Sequence, residues 1–528
     1  MKKNIYKLSL TEISISLSIV FLLFLSLFFY YFICMPYTYT DTAFLIESVD
    51  RLSRDEGPSS YILSESLAQI TLATKSNIAD FCSEGLETKM YAQVPLQYIT
   101  SLHAYIILYP ISIMAKYIGS FKFLSILNAL TFSIIPALVY FYTRLRNQRI
   151  VFAILTTILI LVHPAWQISS TGQLYVDRFF IPFSMVLTFL TYHYQNAEQN
   201  NNKLIPLIFI TMLIAGITTE RAMFVSGLFL FFSGVTQKTS IKKNALIIFF
   251  GMIAFIYTSI YLNKYGGTLE NASSISNFFA GFYHLKLYLI DVITKVGVGK
   301  FIFFNMPLFL VISILNPRLA LCILPILLIN FLISVGGAEK DGWETHYHSH
   351  YFGFLVAAFV ISISDKSNRI INNINMNFVL LLLLVFFCSG YYYLNYWNRS
   401  IIGAIQNTFI ADKSKSGFYA NKSILDNLLL NLPTNASVTL SGWGLPLLYS
   451  RGNEVHLFPL NIGLSDYLLV QFDEKKKSIL ASYNYHLPSA QLDSCYTRII
   501  NKDYLLIKQE GTWALFKKNN LYIKNLSN

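Results

Sequence analysis

The stretch Ile13–Cys34, ISISLSIVFLLFLSLFFYYFIC, sets how the rest of the chain is interpreted. It carries no charge and is long enough to cross a bilayer, which takes about 20 apolar residues. Three lysines precede it and no small-residue cleavage site follows, so we interpret it as an uncleaved signal anchor. Asp41 then opens the polar segment Asp41–Asp50, DTAFLIESVD, which predicts a long loop at the membrane surface and not a short turn.

The composition is that of an integral membrane protein. Of the 528 residues, 54% are hydrophobic and 13% are charged, whereas soluble domains carry about 25% charged residues. So few charges could hardly cover a water-soluble surface of this size. The formal net charge of +12 is no sign of nucleic-acid binding, because what matters is how the basic residues are distributed along the chain.

Apolar runs recur and predict an α-helical polytopic membrane protein with about 11 spans. They lie near residues 13–34, 121–143, 150–164, 178–194, 204–217, 222–236, 244–262, 299–315, 319–335, 347–364 and 374–394.

Charge bias orients these spans. With a cytoplasmic N-terminus, the inner connections hold thirteen Lys and Arg residues. The outer connections other than the long first loop hold five, although they are longer in total. Cytoplasmic loops are enriched in such residues. The apolar stretch 101–117 would reverse this orientation if it crossed, so we expect it to lie along the outer surface as an interfacial segment. The C-terminus is then extracytoplasmic.

We divide the chain into a transmembrane domain, residues 1–396, and a soluble tail, residues 397–528. The first outer loop spans 35–120 and is expected to hold interfacial helices. In the tail, charged residues become frequent and Ala436–Leu440 alternates like a strand. Residues 503–508 and 512–517 flank Gly511 and predict a β-hairpin, and 466–470 is a third strand candidate. The tail is therefore expected to be a small α/β domain.

Several acids lie near predicted membrane boundaries. Asp41 suits a general base or a metal ligand, although a solvated boundary acid would look the same. Glu47 and Asp50 are three residues apart, and we expect them on the wet face of an interfacial helix.

Two acid–arginine pairs follow in later outer connections. Glu220 and Arg221 interrupt a long apolar stretch, and they form either a hairpin tip in water or a buried pair in a polar cavity. Asp177 and Arg178 lie where another span begins. Either arginine could hold a phosphate, because a guanidinium grips it with two hydrogen bonds at once.

Histidines and cysteines leave alternatives open. His346-x-His348-x-His350 is either part of a metal site or a set of interfacial hydrogen-bonding groups. Cys82 and Cys495 lie in polar segments and could pair. Three further cysteines in apolar runs are expected to be small buried hydrophobes: Cys34, Cys322 and Cys388.

Six short pieces, taken in order, resemble the GT-C superfamily of polytopic membrane glycosyltransferases, which use polyprenyl-phosphate-linked sugars. Within that superfamily the chain is most similar to a group of predicted bacterial membrane proteins of unassigned function. The likeness covers about residues 10–470. The pieces are Asp41–Asp50, His103–Pro110 (HAYIILYP), Asp177–Phe179 (DRF), Thr219–Arg221 (TER), His346–His348 (HYH) and Ala436–Val438 (ASV).

The resemblance implies a GT-C-like fold in the bacterial cytoplasmic (inner) membrane, a lipid-linked sugar donor and an envelope acceptor. It implies catalytic roles for Asp41 and Asp177. The other outer polar groups become substrate-binding candidates: His103, Arg178, Glu220, Arg221 and His346. A divalent metal ion is the one cofactor left open. The alternatives to an enzyme are a lipid-linked-sugar transporter and a non-catalytic envelope membrane protein.

Overall fold

The computed structural model divides into two compact units. The helical unit comprises Met1–Phe29, Thr100–Ile107 and Ser125–Ala404, and the sheet unit comprises Tyr30–Ile99, Leu108–Leu124 and Ile405–Asn528. Within these bounds the structure describes residues 9–35, 40–74, 96–99, 105–146, 149–197, 202–265, 296–332, 346–365, 375–393, 424–440, 444–458, 462–473, 478–479 and 504–519.

Most of the described chain is helical. In chain order, the helices are α1 (Leu10–Cys34), α2 (Thr40–Ser53), α3 (Tyr61–Thr74), α4 (Leu108–Ile118), α5 (Ser120–Leu145), α6 (Ile150–Val162), α7 (Pro164–Thr171), α8 (Phe180–Asn196), α9 (Leu204–Thr218), α10 (Glu220–Thr236), α11 (Ile241–Tyr265), α12 (Val296–Leu315), α13 (Pro317–Leu332), α14 (Phe352–Ser364), α15 (Met376–Tyr393) and α16 (Leu445–Ser450). Short 3₁₀ helices cover Val176–Phe179 and His346–His350.

Every predicted span falls on a helix, but the helices differ in their capacity to cross a membrane. Among the described residues, three helices are long and apolar enough: Glu12–Cys34, Ser120–Leu145 and Ile241–Tyr261. The pair α6 and α7 makes a fourth if its 55° bend is counted within one span. Five further apolar stretches within the described residues are shorter, at 10–17 residues: Leu204–Thr218, Ile302–Leu315, Pro317–Ile329, Phe352–Ser364 and Met376–Gly390. Apolar candidate spans are therefore confirmed, and the full set of about 11 spans stays a prediction.

Local chemistry explains the bend after α6, which lies at the end of the predicted span 150–164. Pro164 has no backbone N–H and disfavours the helical conformation in the residue before it. His163 is accordingly extended, with φ −63° and ψ 129°, and its ring accepts a hydrogen bond from the Ala165 N–H at 3.2 Å. The histidine thereby caps the helix that the proline starts.

Glycines allow helices of the helical unit to approach closely. A Cβ atom added to Gly353 of α14 would lie 2.0 Å from the Ser184 hydroxyl and 2.3 Å from the Ile181 carbonyl oxygen of α8. One added to Gly251 of α11 would lie 2.9 Å from the Gly227 carbonyl oxygen of α10. Small residues at such crossings are typical of helices packed in membranes.

Cysteines in the apolar helices behave in two ways. Cys34 and Cys322 are buried, as expected of small hydrophobic side chains. The same prediction is wrong for Cys388, which is exposed on α15. An apolar helix has an outer face as well as a packed one, and apolar character alone does not say which face a residue occupies. Cys82 and Cys495 lie outside the described residues.

A sheet with helices packed against it forms the sheet unit. The strands are β1 (Ser59–Ser60), β2 (Gln97–Tyr98), β3 (Ser437–Leu440), β4 (Glu454–Leu457), β5 (Tyr467–Asp473), β6 (Ser478–Ile479), β7 (Tyr504–Glu510) and β8 (Trp513–Lys518). The larger sheet has the order β4-β3-β5-β8-β7, with β6 beside β5. Strand β3 is parallel to β4 and β5, and β8 is antiparallel to β5 and β7.

The predicted small C-terminal sheet is confirmed, including the hairpin. Its turn uses Gly511 at φ +57°, a left-handed conformation that glycine adopts without strain. The core of this sheet also contains residues from the first loop: Ala43 of α2 and Ile62 of α3 pack in one cluster with Val438, Leu469 and Trp513. The first loop and the tail therefore share one hydrophobic core.

We predict that Gly353→Ala lowers the stability of the helical unit by about 1–3 kcal/mol, because overpacking forces two helices apart. The matched control is Gly299→Ala in α12, where an added Cβ meets nothing within 4 Å. Thermal unfolding of the purified protein in detergent measures both. Equal midpoints for the two variants would contradict the close α8–α14 contact.

Candidate functional site

The Glu220–Arg221 pair lies at a helix start inside the helical unit. Helix α9 ends at Thr218, and Thr219 is extended, with φ −166° and ψ 152°. The Thr219 hydroxyl accepts a hydrogen bond from the Arg221 N–H at 3.1 Å, which caps α10. A carboxylate in the first turn is favoured by the helix dipole. Glu220 is only 6% exposed, so the interpretation as a hairpin tip in water is wrong and that as a buried pair is confirmed.

The two side chains of this pair face each other within the protein. Arg221 Nε lies 3.9 Å from Glu220 Oε1, and both side chains are largely withdrawn from solvent. Ionised groups in such surroundings interact more strongly than they do in water. Burying them also has a large desolvation cost, so their burial without a functional role would be unfavourable.

Asp177 and Arg178 lie in the 3₁₀ helix that leads into α8, and both are buried. The Arg178 guanidinium lies over the rings of Tyr175 and Phe132, at 5.3 and 5.9 Å from their centroids. It also fills the space beside Gly172, where an added Cβ would lie 2.5 Å from Nη2. Aromatic rings and a missing side chain together hold this guanidinium in place.

Tyr105 lies within hydrogen-bonding reach of Asp177 and within electrostatic range of Glu220 and Arg221. Its side chain is 3% exposed and forms a hydrogen bond with Asp177, and the charges of Glu220 and Arg221 act on it. The Ile107 N–H donates to the Ile217 carbonyl oxygen at 2.8 Å, which fastens this segment to the end of α9. Burial, followed by the charges of Asp177 and Glu220, raises the pKa of Tyr105, so its hydroxyl stays protonated.

His348 belongs to the 3₁₀ helix His346–His350, which packs against the 3₁₀ helix carrying Asp177. Its Nδ1 lies 2.6 Å from the Tyr351 hydroxyl, which also accepts a hydrogen bond from the Asn305 amide at 3.1 Å. The tautomer of the His348 ring determines which group donates in the hydrogen bond between Nδ1 and the Tyr351 hydroxyl.

Sequence reasoning missed three residues of this neighbourhood: Tyr105, Asn305 and Tyr351. Asn305 was the easiest to find, because an amide inside the apolar run Phe301–Leu310 is expensive in a membrane unless it is hydrogen-bonded. Tyr105 lies in the segment 103–110, but a tyrosine near a membrane boundary is too common to be a signal.

The remaining predicted site residues lie elsewhere or outside the described part of the chain. Asp41 lies in the first turn of α2, in the sheet unit, and is half-buried. His103 lies outside the described residues. The structure describes only the backbone of His346, at the start of its 3₁₀ helix. The structure thus brings together Asp177, Glu220 and Arg221 around Tyr105, with Arg178 next to Asp177 in the chain.

The expectation that Glu47 is a solvent-facing residue is wrong. Glu47 is 5% exposed, and its carboxylate accepts hydrogen bonds from the Ser60 hydroxyl at 2.6 Å and the Ile62 N–H at 3.1 Å. Glu47 thereby caps the N-terminus of α3, although it precedes Ser60 by 13 residues in the chain. Asp50 is half-buried and accepts from the Ser120 hydroxyl. Burial raises the pKa of both carboxyl groups.

Within the described ranges, no group of three or more His, Cys, Asp and Glu residues is arranged to hold a metal ion. The polar groups around Tyr105 are two carboxylates and a guanidinium, which suits a substrate with both hydroxyl and phosphate groups.

Comparison with known proteins adds no relative to this picture. No protein-family model matches the chain, and no curated protein sequence matches it significantly.

We predict that Arg221→Gln lowers the free energy of unfolding by about 3 kcal/mol, because the buried Glu220 carboxylate loses the guanidinium beside it. The double variant Glu220→Gln/Arg221→Gln should lose less, since no charge is then left behind. A double-mutant cycle of thermal unfolding in detergent measures the coupling. Purely additive effects of the two substitutions would show that the pair is not coupled.

Proposed function

We propose that this protein is a GT-C-type membrane glycosyltransferase, which moves a sugar from a polyprenyl-phosphate donor to an envelope acceptor on the extracytoplasmic face. The observation that carries this proposal is the convergence of Asp177, Glu220 and Arg221 on Tyr105. A mostly apolar helical chain buries these charges at substantial cost, and such intramembrane charges are usually functional.

The chemistry of transfer needs few groups. The acceptor hydroxyl loses its proton to a carboxylate and its oxygen bonds to the anomeric carbon of the sugar. The bond from that carbon to the phosphate oxygen breaks, and its electron pair leaves with the lipid phosphate. Phosphate departs well at neutral pH, so the protein has to supply a base and to stabilise phosphate charge, with no strong acid.

The residues have distinct roles in this proposal. Arg221, with Arg178 as the alternative, holds the donor phosphate with two hydrogen bonds. The resemblance assigns the base to Asp41, whereas within the helical unit the carboxylate available as base is Asp177. Glu220 and the Tyr105 hydroxyl hydrogen-bond sugar hydroxyls, as do His103 and His346.

The shared core of the sheet unit supports the proposed orientation. Because α2, α3 and the tail pack in one core, they lie on the same side of any membrane that the chain crosses. The chain between α4 and residue 424 must then cross an even number of times. The eleven predicted spans less the first leave ten, an even number, so the shared core agrees with the predicted topology. Charge bias alone then assigns the side that holds the first loop and the tail as extracytoplasmic.

We predict that Asp41→Asn, Asp177→Asn and Arg221→Gln each reduce transfer by about 10²–10⁴-fold, because each removes a base or a phosphate contact. Membrane vesicles that contain the protein and a radiolabelled polyprenyl-phosphate sugar measure the transfer. The matched control is Asp55→Asn, which changes an exposed first-loop acid at φ +63°, a conformation that asparagine tolerates.

Full activity in the Asp41 variant would remove Asp41 from the catalytic role. Full activity with Asp41, Asp177 and Arg221 all neutralised would reject the enzyme and favour a non-catalytic envelope protein.

The bend of 55° between α6 and α7 favours a second candidate, a transporter of lipid-linked sugars. Broken helices often form the binding sites of transporters. Proteoliposomes with a fluorescent lipid-linked sugar separate the two functions. A transporter would move the lipid between leaflets without sugar transfer, and Asp41→Asn would leave that movement intact.

A further inference from the structure

Glu65, His456 and Glu454 form an ionic cluster in the sheet unit, where α3 packs against β4. Glu65 is 1% exposed and His456 is 6% exposed. Glu65 comes from the first loop and His456 from the tail, 391 positions later. No part of the proposed transfer reaction uses this cluster.

Each nitrogen of the His456 imidazole ring lies beside one glutamate carboxyl group. His456 Nδ1 lies 2.7 Å from Glu65 Oε1, and Nε2 lies 3.3 Å from Glu454 Oε1. When Glu65 and Glu454 are ionised, their oxygens only accept hydrogen bonds, so this arrangement favours a ring that carries protons on both nitrogens. The second Glu65 oxygen accepts from the Leu457 N–H at 2.6 Å, which leaves the carboxylate as an acceptor at both oxygens.

The charges of Glu65 and Glu454 both raise the pKa of His456. Glu454 stands on the same strand as His456 and is exposed to solvent. The negative charge of Glu47 in α2 contributes to the raised pKa of Glu65. From the neighbouring strand β3, the uncharged Thr439 stands opposite His456.

These surroundings determine how the ring titrates. Burial lowers the pKa of His456, but the hydrogen bonds and charges of Glu65 and Glu454 outweigh it, and the net pKa lies above the ordinary 6.5. A raised pKa means that the stabilisation is complete below the unfolded-state value and is lost as the pH rises through the folded-state value. Burial also raises the pKa of Glu65, which gives pH dependence of the same sign.

We propose that Glu65, His456 and Glu454 form a pH-sensitive latch that holds β4 against α3 in acidic and neutral surroundings and loosens in alkaline ones. Loss of the ring proton leaves the buried Glu65 carboxylate with no cation beside it, and one ring nitrogen then presents a lone pair to a carboxylate oxygen. Strand β4 lies at the edge of the sheet. Loosening of its contact with α3 exposes a strand edge, which is a surface prone to new pairing.

Hydrogen–deuterium exchange of the full-length protein in detergent tests the latch between pH 6 and pH 9. Labelling times are scaled to keep intrinsic chemical exchange constant, and the peptide that contains β4 is compared with the β7–β8 hairpin peptide of the same unit. From pH 6 to pH 9, the exchange rate of the β4 peptide divided by that of the hairpin peptide should increase. The expected increase is about tenfold for each unit by which the pKa of His456 in the folded protein exceeds its unfolded value. A ratio that stays constant from pH 6 to pH 9 would overturn the latch.

Three variants sharpen this test. His456→Gln and Glu65→Gln should each flatten the pH dependence to less than about twofold, because each removes the buried Glu65–His456 pair, and the exposed Glu454 is screened by solvent. Glu454→Gln should keep the pH dependence and shift its midpoint to lower pH. Retention of the wild-type profile in both His456→Gln and Glu65→Gln would reject the assignment.

A measurement on the unmodified protein covers the case in which the variants do not fold. Exchange of the imidazole C2 proton, followed by mass spectrometry, reports the titration of each histidine separately. A midpoint for His456 above 6.5 supports the latch, and a midpoint at or below that value overturns it.

Discussion

A charged group withdrawn from water must be paired or hydrogen-bonded, and this constraint shapes both units of the protein. In the helical unit, the Glu12 carboxylate meets the Arg144 guanidinium, and Arg146 approaches Asp365, to which the Tyr192 hydroxyl donates at 3.0 Å. Such pairs join α1 to α5, and α5 to the ends of α8 and α14. The pairs add little net stability compared with apolar contacts, but removal of one partner is costly. They therefore favour one arrangement of helices that apolar packing alone would leave less defined.

Helix ends supply the polar groups that the proposed chemistry needs. Thr219 ends one helix and caps the next, and this places Glu220 and Arg221 in a first turn inside the protein. His163 does the same at the bend before Pro164. In an apolar bundle the backbone groups at helix ends need partners, so interruptions of helices are where polar side chains can be buried at least cost. The convergence on Tyr105 follows from this rule.

The sheet unit depends on contacts between segments that are far apart in the chain. Ala43 and Ile62 of the first loop pack in one core with Val438 and Trp513 of the tail, and Glu65 pairs with His456 across 391 positions. Closing such a long loop costs conformational entropy, although the cost grows only slowly with length. A shared core of this kind ties the tail to the first loop.

The sequence by itself determined that the chain is mostly helical, with apolar candidate spans and a small C-terminal sheet. Long apolar runs with few charges predict helices, because a helix satisfies its backbone hydrogen bonds internally in a membrane. The alternation around Gly511 predicts the hairpin, because side chains alternate along a strand with a period of two. Interruptions of apolar runs also pointed to Asp177 and to the pair Glu220–Arg221. The tertiary structure decided which groups meet. It places Tyr105 near Asp177, uses Glu47 to cap α3, and pairs Glu65 with His456. Such choices depend on the packing of segments remote in the chain, which local periodicity and propensity do not encode.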